Sequence, residues 1–215
     1  MLFTYEVPGR LRPAIGAQVA DGTGPLENLG DGCCGSLSNN GTMVFAQDND
    51  ARESDSDLYY RGPGDAAPKV LLDRTGEQLS PTFSPDGKFV AYQSNESGRF
   101  EVYVRPFPSG PGQWQVSLGG GSDAHWSARG DKLWFRAYGN VLMEVNVKPA
   151  GGTFAFGEPR GVFKGDPIAV DLTLGFAVLA NGDRFIAARR VADPDGTVPS
   201  ITVVQNWFTE FANNR

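Results

Sequence analysis

The chain has 215 residues, with 25 acidic and 19 basic side chains and a formal net charge of −6. Its lysines and arginines are scattered, the tightest group being the pair Arg189-Arg190, without the clustered positive charge that nucleic acid or an anionic membrane surface requires, and no apolar run approaches the roughly 20 residues of a membrane span. The 28 glycines and 15 prolines, spread among aromatic and β-branched residues, exclude long helices and predict many short elements joined by tight turns.

The start, Met1-Leu2-Phe3-Thr4-Tyr5-Glu6, has neither a basic region nor a long apolar stretch, so it does not read as a signal peptide. The chain as written reads as cytoplasmic, and as extracytoplasmic only if it is part of a longer exported protein. Phe3-Thr4-Tyr5, residues 14–19 and residues 26–29 read as three short strands. Cys33 and Cys34 follow directly. A disulfide between neighbours strains the intervening peptide, and two cysteines with one histidine cannot complete a zinc site. Both are expected as free, buried or half-buried thiols.

From here the chain repeats. Ser84-Pro85-Asp86-Gly87 suits a type I turn, with proline presetting φ at the second corner and glycine closing the fourth. It joins Phe83 to the apolar run Phe89-Val90-Ala91-Tyr92. The same pattern surrounds Ser38-Asn39-Asn40-Gly41, Ser127-Ala128-Arg129-Gly130 and, more weakly, Ala180-Asn181-Gly182. The turn glycines 41, 87, 130 and 182 are 46, 43 and 52 residues apart, which brackets the period of a propeller blade. A third strand recurs as Asp57-Leu58-Tyr59-Tyr60-Arg61 and Glu101-Val102-Tyr103-Val104-Arg105. Alternation places its aliphatic residue on one face and its acid, Tyr and Arg on the other. Residues 142–147 and 201–207 take the same place later. Residues 70–72, 114–117 and 161–163 read as fourth, outer strands, and the one helical candidate is a turn or two at 208–211. Four short antiparallel strands per repeat is blade geometry.

These turns and Tyr-bearing strands resemble the WD-type repeats of TolB-like β-propellers. The likeness is greatest to propellers C-terminal to bacterial serine/threonine kinase domains, whose late blades read much like Asp123-Ala124-His125-Trp126-Ser127 and whose chain ends read much like residues 201–207. The resemblance covers roughly residues 33–210. It implies an all-β fold: a β-propeller of four-stranded antiparallel blades, four to five in number, closed or as an incomplete ring. The expected units are a partial first blade at 1–32, blades at 33–73, 79–118, 122–164 and 168–208, and a tail at 209–215, with the chain beginning mid-blade. An open ring leaves unpaired edges that invite self-association. Kinase activity does not carry over, because the kinase lysine, catalytic loop and magnesium aspartate motifs are absent.

Chemistry is sparser. The densest acidic run, residues 48–57, lies in the loop between second and third strands, and Asp48, Asp50, Glu53 and Asp55 are its candidate calcium ligands. It lacks the glycine and terminal glutamate of an EF-hand and carries Arg52, so a solvated loop is the simpler reading and no cofactor is expected outright. His125, the only histidine, sits between Asp123 and Trp126 on an expected innermost strand. A general base with an orienting carboxylate is one reading, a packed or channel-lining histidine the other. Asp123, His125 and Asp171 could converge on one channel mouth. The chain has no Gly-x-Ser-x-Gly elbow, and Gly119-Gly120-Gly121-Ser122 lacks a following Lys and helix, so it reads as an inter-blade turn. The leading expectation is a non-catalytic module binding a protein or small molecule. The alternative is a calcium-dependent hydrolase of esters or lactones, in which an ion held by oxygen ligands polarises the carbonyl and activates water.

Overall fold

The computed structural model describes residues 2–9, 12–19, 21–52, 55–150, 153–164, 175–179 and 185–187. The described residues form strands in every regular element. Three open the chain, β1 (Leu2–Tyr5), β2 (Ala14–Ala17) and β3 (Glu27–Asp31), as one antiparallel sheet in that order. A second sheet follows in meander order from β4 (Cys33–Leu37), β5 (Met43–Asp48), β6 (Ser56–Arg61) and β7 (Lys69–Leu72). The third repeats it with β8 (Gln78–Phe83), β9 (Phe89–Ser94), β10 (Glu101–Pro106) and β11 (Trp114–Gln115). Val116 and Ser117 fall outside β11, which is shorter than the run read from the sequence.

The fourth sheet departs from that rhythm. It runs β12 (Ser122–Trp126), β13 (Lys132–Ala137) and β14 (Val141–Ala150). β14 is ten residues long and pairs with two partners in turn: β16 (Arg160–Lys164) along its first half and β15 (Thr153–Phe156) along its second. β15 was not expected from the sequence. Last come β17 (Phe176–Val178) and β18 (Phe185–Ala187), paired antiparallel. Asp171, the strand expected at 201–207 and the helical turn at 208–211 lie outside the described residues.

The turns form as their residues dictate. Ser84 Oγ receives the Phe89 N–H at 3.0 Å and donates to Asp86, and the Ser84 and Gly87 backbones close the turn. Ser127 does the same for Lys132 at 3.1 Å. Successive turns also touch, Asn39 donating to the Pro85 carbonyl at 3.1 Å.

The core lies between sheets rather than inside one. Ile15, Met43 and Phe45 join the first two sheets, and Val44, Leu58, Leu72, Phe83 and Tyr92 join the second to the third. Phe89, Val102, Leu133, Val145 and Phe154 fill the next gap, and Trp134, Leu142, Phe176 and Phe185 the last. Cross-strand pairs repeat with it, Phe45 stacking on Tyr59 and Tyr92 on Tyr103 with centroids 6.0 and 5.8 Å apart.

Because the second and third sheets are each packed between neighbours, both faces of β6 and β10 are covered over most of their length. Asp57 and Glu101, expected opposite the buried aliphatic face, are themselves buried. Trp126 is only partly buried and donates to the Thr82 carbonyl at 3.2 Å, while Trp134 is fully enclosed and donates to Glu144 at 3.1 Å. Among the described residues no helix is long and apolar enough to cross a membrane.

Candidate functional site

The first strands of successive sheets lie side by side, β4 against β8, β8 against β12 and β12 against β17. They line the inner end of the sheets. Each of the first three carries a non-glycine residue in left-handed backbone at a β-bulge: Cys34 (φ 56°), Ser80 (φ 51°) and Asp123 (φ 52°). Such backbone costs roughly 1–2 kcal/mol for an ordinary residue. Its recurrence at matched places marks a geometry imposed by the sheets, not by residue type. Each stands seven residues before its turn glycine, and Gly175, seven before Gly182, has φ 98°.

Two of the bulge residues touch, and the third lies near enough to act on them electrostatically. The Ser80 hydroxyl and backbone N–H lie against the Cys34 sulfur, and the Asp123 charge is felt there. Two of the bulges are also fastened to the preceding sheet: Asp123 N–H donates to Gln93 Oε1 at 3.1 Å, and Cys34 N–H to Thr4 Oγ1 at 3.0 Å. Thr4 in β1 thus does what Gln93 in β9 does, so β1 is the counterpart of a second strand.

Asp123 and His125 are on the expected strand, and their side chains engage different partners. Asp123 Oδ2 receives Arg136 Nε and Nη2 from β13 at 3.1 and 2.9 Å and Ser122 Oγ at 3.3 Å. His125 turns instead to β17, its ring centroid 4.5 Å from that of Phe176. Burial there lowers its pKa, opposed in part by Asp123. His125 and Trp126 both pack between sheets, on opposite sides of β12.

The acidic loop is a network of guanidinium contacts. Arg12 reaches Asp48 at 3.8 Å and donates to Asp50. Arg52 Nε donates to Asp55 at 2.7 Å, and its Nη2 to Asp57 at 2.9 Å and Asp73 at 2.6 Å. Glu53 lies outside the described residues. Calcium needs several oxygen ligands carrying unneutralised charge. Here the carboxylates face cations, and among the described residues no three His, Cys, Asp or Glu side chains are grouped to hold an ion. Asp48, Asp50 and Asp55, the candidates among the described residues, are each engaged by an arginine.

Gly119-Gly120-Gly121 is an inter-sheet crossover held from below. Glu101 Oε1 accepts Gly119 and Gly120 N–H at 3.1 and 2.9 Å and Arg99 Nε at 2.7 Å, and Oε2 accepts the Ser117 hydroxyl. Burial opposes ionisation of Glu101, but Ser117, Arg99 and Gly120 outweigh it and hold the carboxyl below its ordinary range. A repeat earlier Asp57 anchors the corresponding crossover, accepting Arg74 N–H at 3.2 Å. Sequence reasoning missed these anchors, as well as Ser80, Gln93 and Arg136. The one signal for the bulge was its constant offset from the turn glycine, hidden because Cys, Ser and Asp share no chemistry.

TolB from Acinetobacter baumannii superposes on this chain with a TM-score of 0.62 at 20% identity, covering 88% of the chain and 46% of TolB. The fold is a β-propeller, similar to that of TolB. A nidogen/laminin complex matches with a TM-score of 0.56 at 14% identity, over 82% of this chain and 64% of that one. A protein assigned as a 6-phosphogluconolactonase from Bacteroides uniformis matches at 0.50 and 19%, over 83% and 58%. The chain thus spans about half the length of TolB and under two thirds of the other two. At these identities the likeness is one of fold. No family model matches the sequence, and no curated protein matches it.

Proposed function

We propose that this chain is a non-catalytic binding module whose inner-strand surface, around Cys34, Ser80 and Asp123, receives a protein or small-molecule ligand. The observation that carries the reading is the engagement of the carboxylates. Asp123 is held by Arg136, Asp48 and Asp50 by Arg12, and Asp55 by Arg52. A hydrolase that polarises a carbonyl through calcium needs carboxylates open to the ion, so the ester- or lactone-hydrolase reading is the weaker one. The fold serves both classes of protein and does not choose between them. The repeated Ser-Pro-Asp-Gly-type turns support kinship with propellers appended to bacterial serine/threonine kinases, where such a module would act as a sensor.

The test is metal dependence. Dialysis against EDTA followed by calcium is expected to change neither the melting temperature nor the background hydrolysis of a panel of esters and lactones. Calcium-dependent turnover lost in Asp123→Asn would overturn the binding reading in favour of the hydrolase.

A further inference from the structure

In a regular strand neighbouring side chains point to opposite faces, which would hold the sulfurs of Cys33 and Cys34 apart. The bulge between Cys33 and Ser36, with Cys34 at φ 56°, cancels that alternation. The two sulfurs lie 2.8 Å apart. The equivalent bulge in β12 does the same to its own neighbours, Ser122 Oγ meeting Asp123 Oδ2 at 3.3 Å. The contact is therefore a property of the bulge, and what is particular to β4 is that both residues are cysteines. The pair is also asymmetric: Cys34 is exposed at the inner-strand surface and Cys33 is half-buried.

We propose that Cys33 and Cys34 are a vicinal dithiol that hydroperoxides oxidise to an intrachain disulfide, a reversible modification site on the inner-strand surface. Cys34 is the attacking group. Its pKa is lowered to about 7 by the thiol of Cys33, against the effect of burial and with help from the Ser80 N–H and hydroxyl. Cys33 keeps its proton, its pKa raised by the neighbouring Cys34 sulfur, by burial and by Asp48. Asp123 also faces Cys34 and opposes its ionisation without prevailing.

The Cys34 thiolate attacks one peroxide oxygen. An S–O bond forms, the O–O bond breaks, and the departing alkoxide or hydroxide takes a proton from water. The Cys33 sulfur then attacks the Cys34 sulfenic sulfur. The S–S bond forms, the S–O bond breaks, and the hydroxide leaves as water with the Cys33 proton. Two electrons pass from the two thiols to the peroxide, and an external dithiol reverses the change.

The experiment treats the reduced full chain with hydrogen peroxide and follows it by intact and peptide mass spectrometry. The expected result is a loss of two hydrogens confined to the peptide carrying Cys33 and Cys34, restored by dithiothreitol. Cys33→Ser should instead leave a sulfenic acid at Cys34 that dimedone traps. Alkylation of Cys34 by iodoacetamide in the wild-type chain should show its pH midpoint near 7, shifted down from the ordinary thiol value of 9.0. Disulfide-linked dimers on a non-reducing gel, or unchanged mass with an alkylation midpoint near 9, would overturn the proposal. The measurements on wild-type protein need no substitution, so they stand even if a variant folds poorly.

Discussion

His125 shows how one side chain links burial to pH. Its ring packs on Phe176, where the neutral form is favoured, so the folded chain releases the proton at a lower pH than the unfolded chain, whose histidine titrates near 6.5. The unfolded state therefore binds more protons between those two values, and stability falls as pH drops. This contribution is fully present above about pH 6.5 and is lost as pH falls toward the lowered folded value. Thermal melts between pH 7 and 5 should show a steeper fall in Tm for the wild type than for His125→Gln. Parallel slopes would remove His125 as the responsible group. The sequence placed this residue on an inner strand beside Asp123, but not against Phe176. That contact joins residues 51 apart in the chain across two sheets and has no local signal.

Elements were easier to read than contacts. The turn Ser84-Pro85-Asp86-Gly87 names its own geometry, because proline and glycine restrict φ locally and the serine hydroxyl supplies the bond that closes it. Gly87 has φ 69° with open space where a Cβ would sit, whereas Gly32 has φ 136° and would place a Cβ 2.7 Å from the Ala46 carbonyl and 2.8 Å from Phe45 Cδ2. Gly87→Ala should therefore cost only the left-handed strain, about 1 kcal/mol in urea unfolding. Gly32→Ala adds a collision with β5 and should lose more than twice that. Equal losses would show that β5 does not approach Gly32 this closely. Where the repeat is irregular, as in the long β14 with its two partners, alternation alone was too weak to foresee the extra strand β15.

At the scale of the molecule, the successive sheets bury their apolar faces against one another, and that arrangement governs both stability and association. Among the described residues β1 is paired on one side only, with β2, and a strand with unpaired N–H and C=O groups invites a partner. Static light scattering should therefore report a mass above that of a monomer, falling toward it on dilution; a concentration-independent monomer would remove self-association. The sequence alone determined that the chain is all-β, that its turns recur at blade spacing, and that acid, aliphatic and Tyr positions return in the third strands β6 and β10, because turn chemistry and alternation act between near neighbours. Only the tertiary structure decided that Asp57 and Glu101 are buried anchors for the next crossover, that Arg136 and Arg12 engage Asp123 and Asp50, and that Ser80 lies against the Cys34 sulfur. Those outcomes depend on distances between sheets and on a bulge that reverses which way a side chain points, and neither is written in the spacing of residues along the chain.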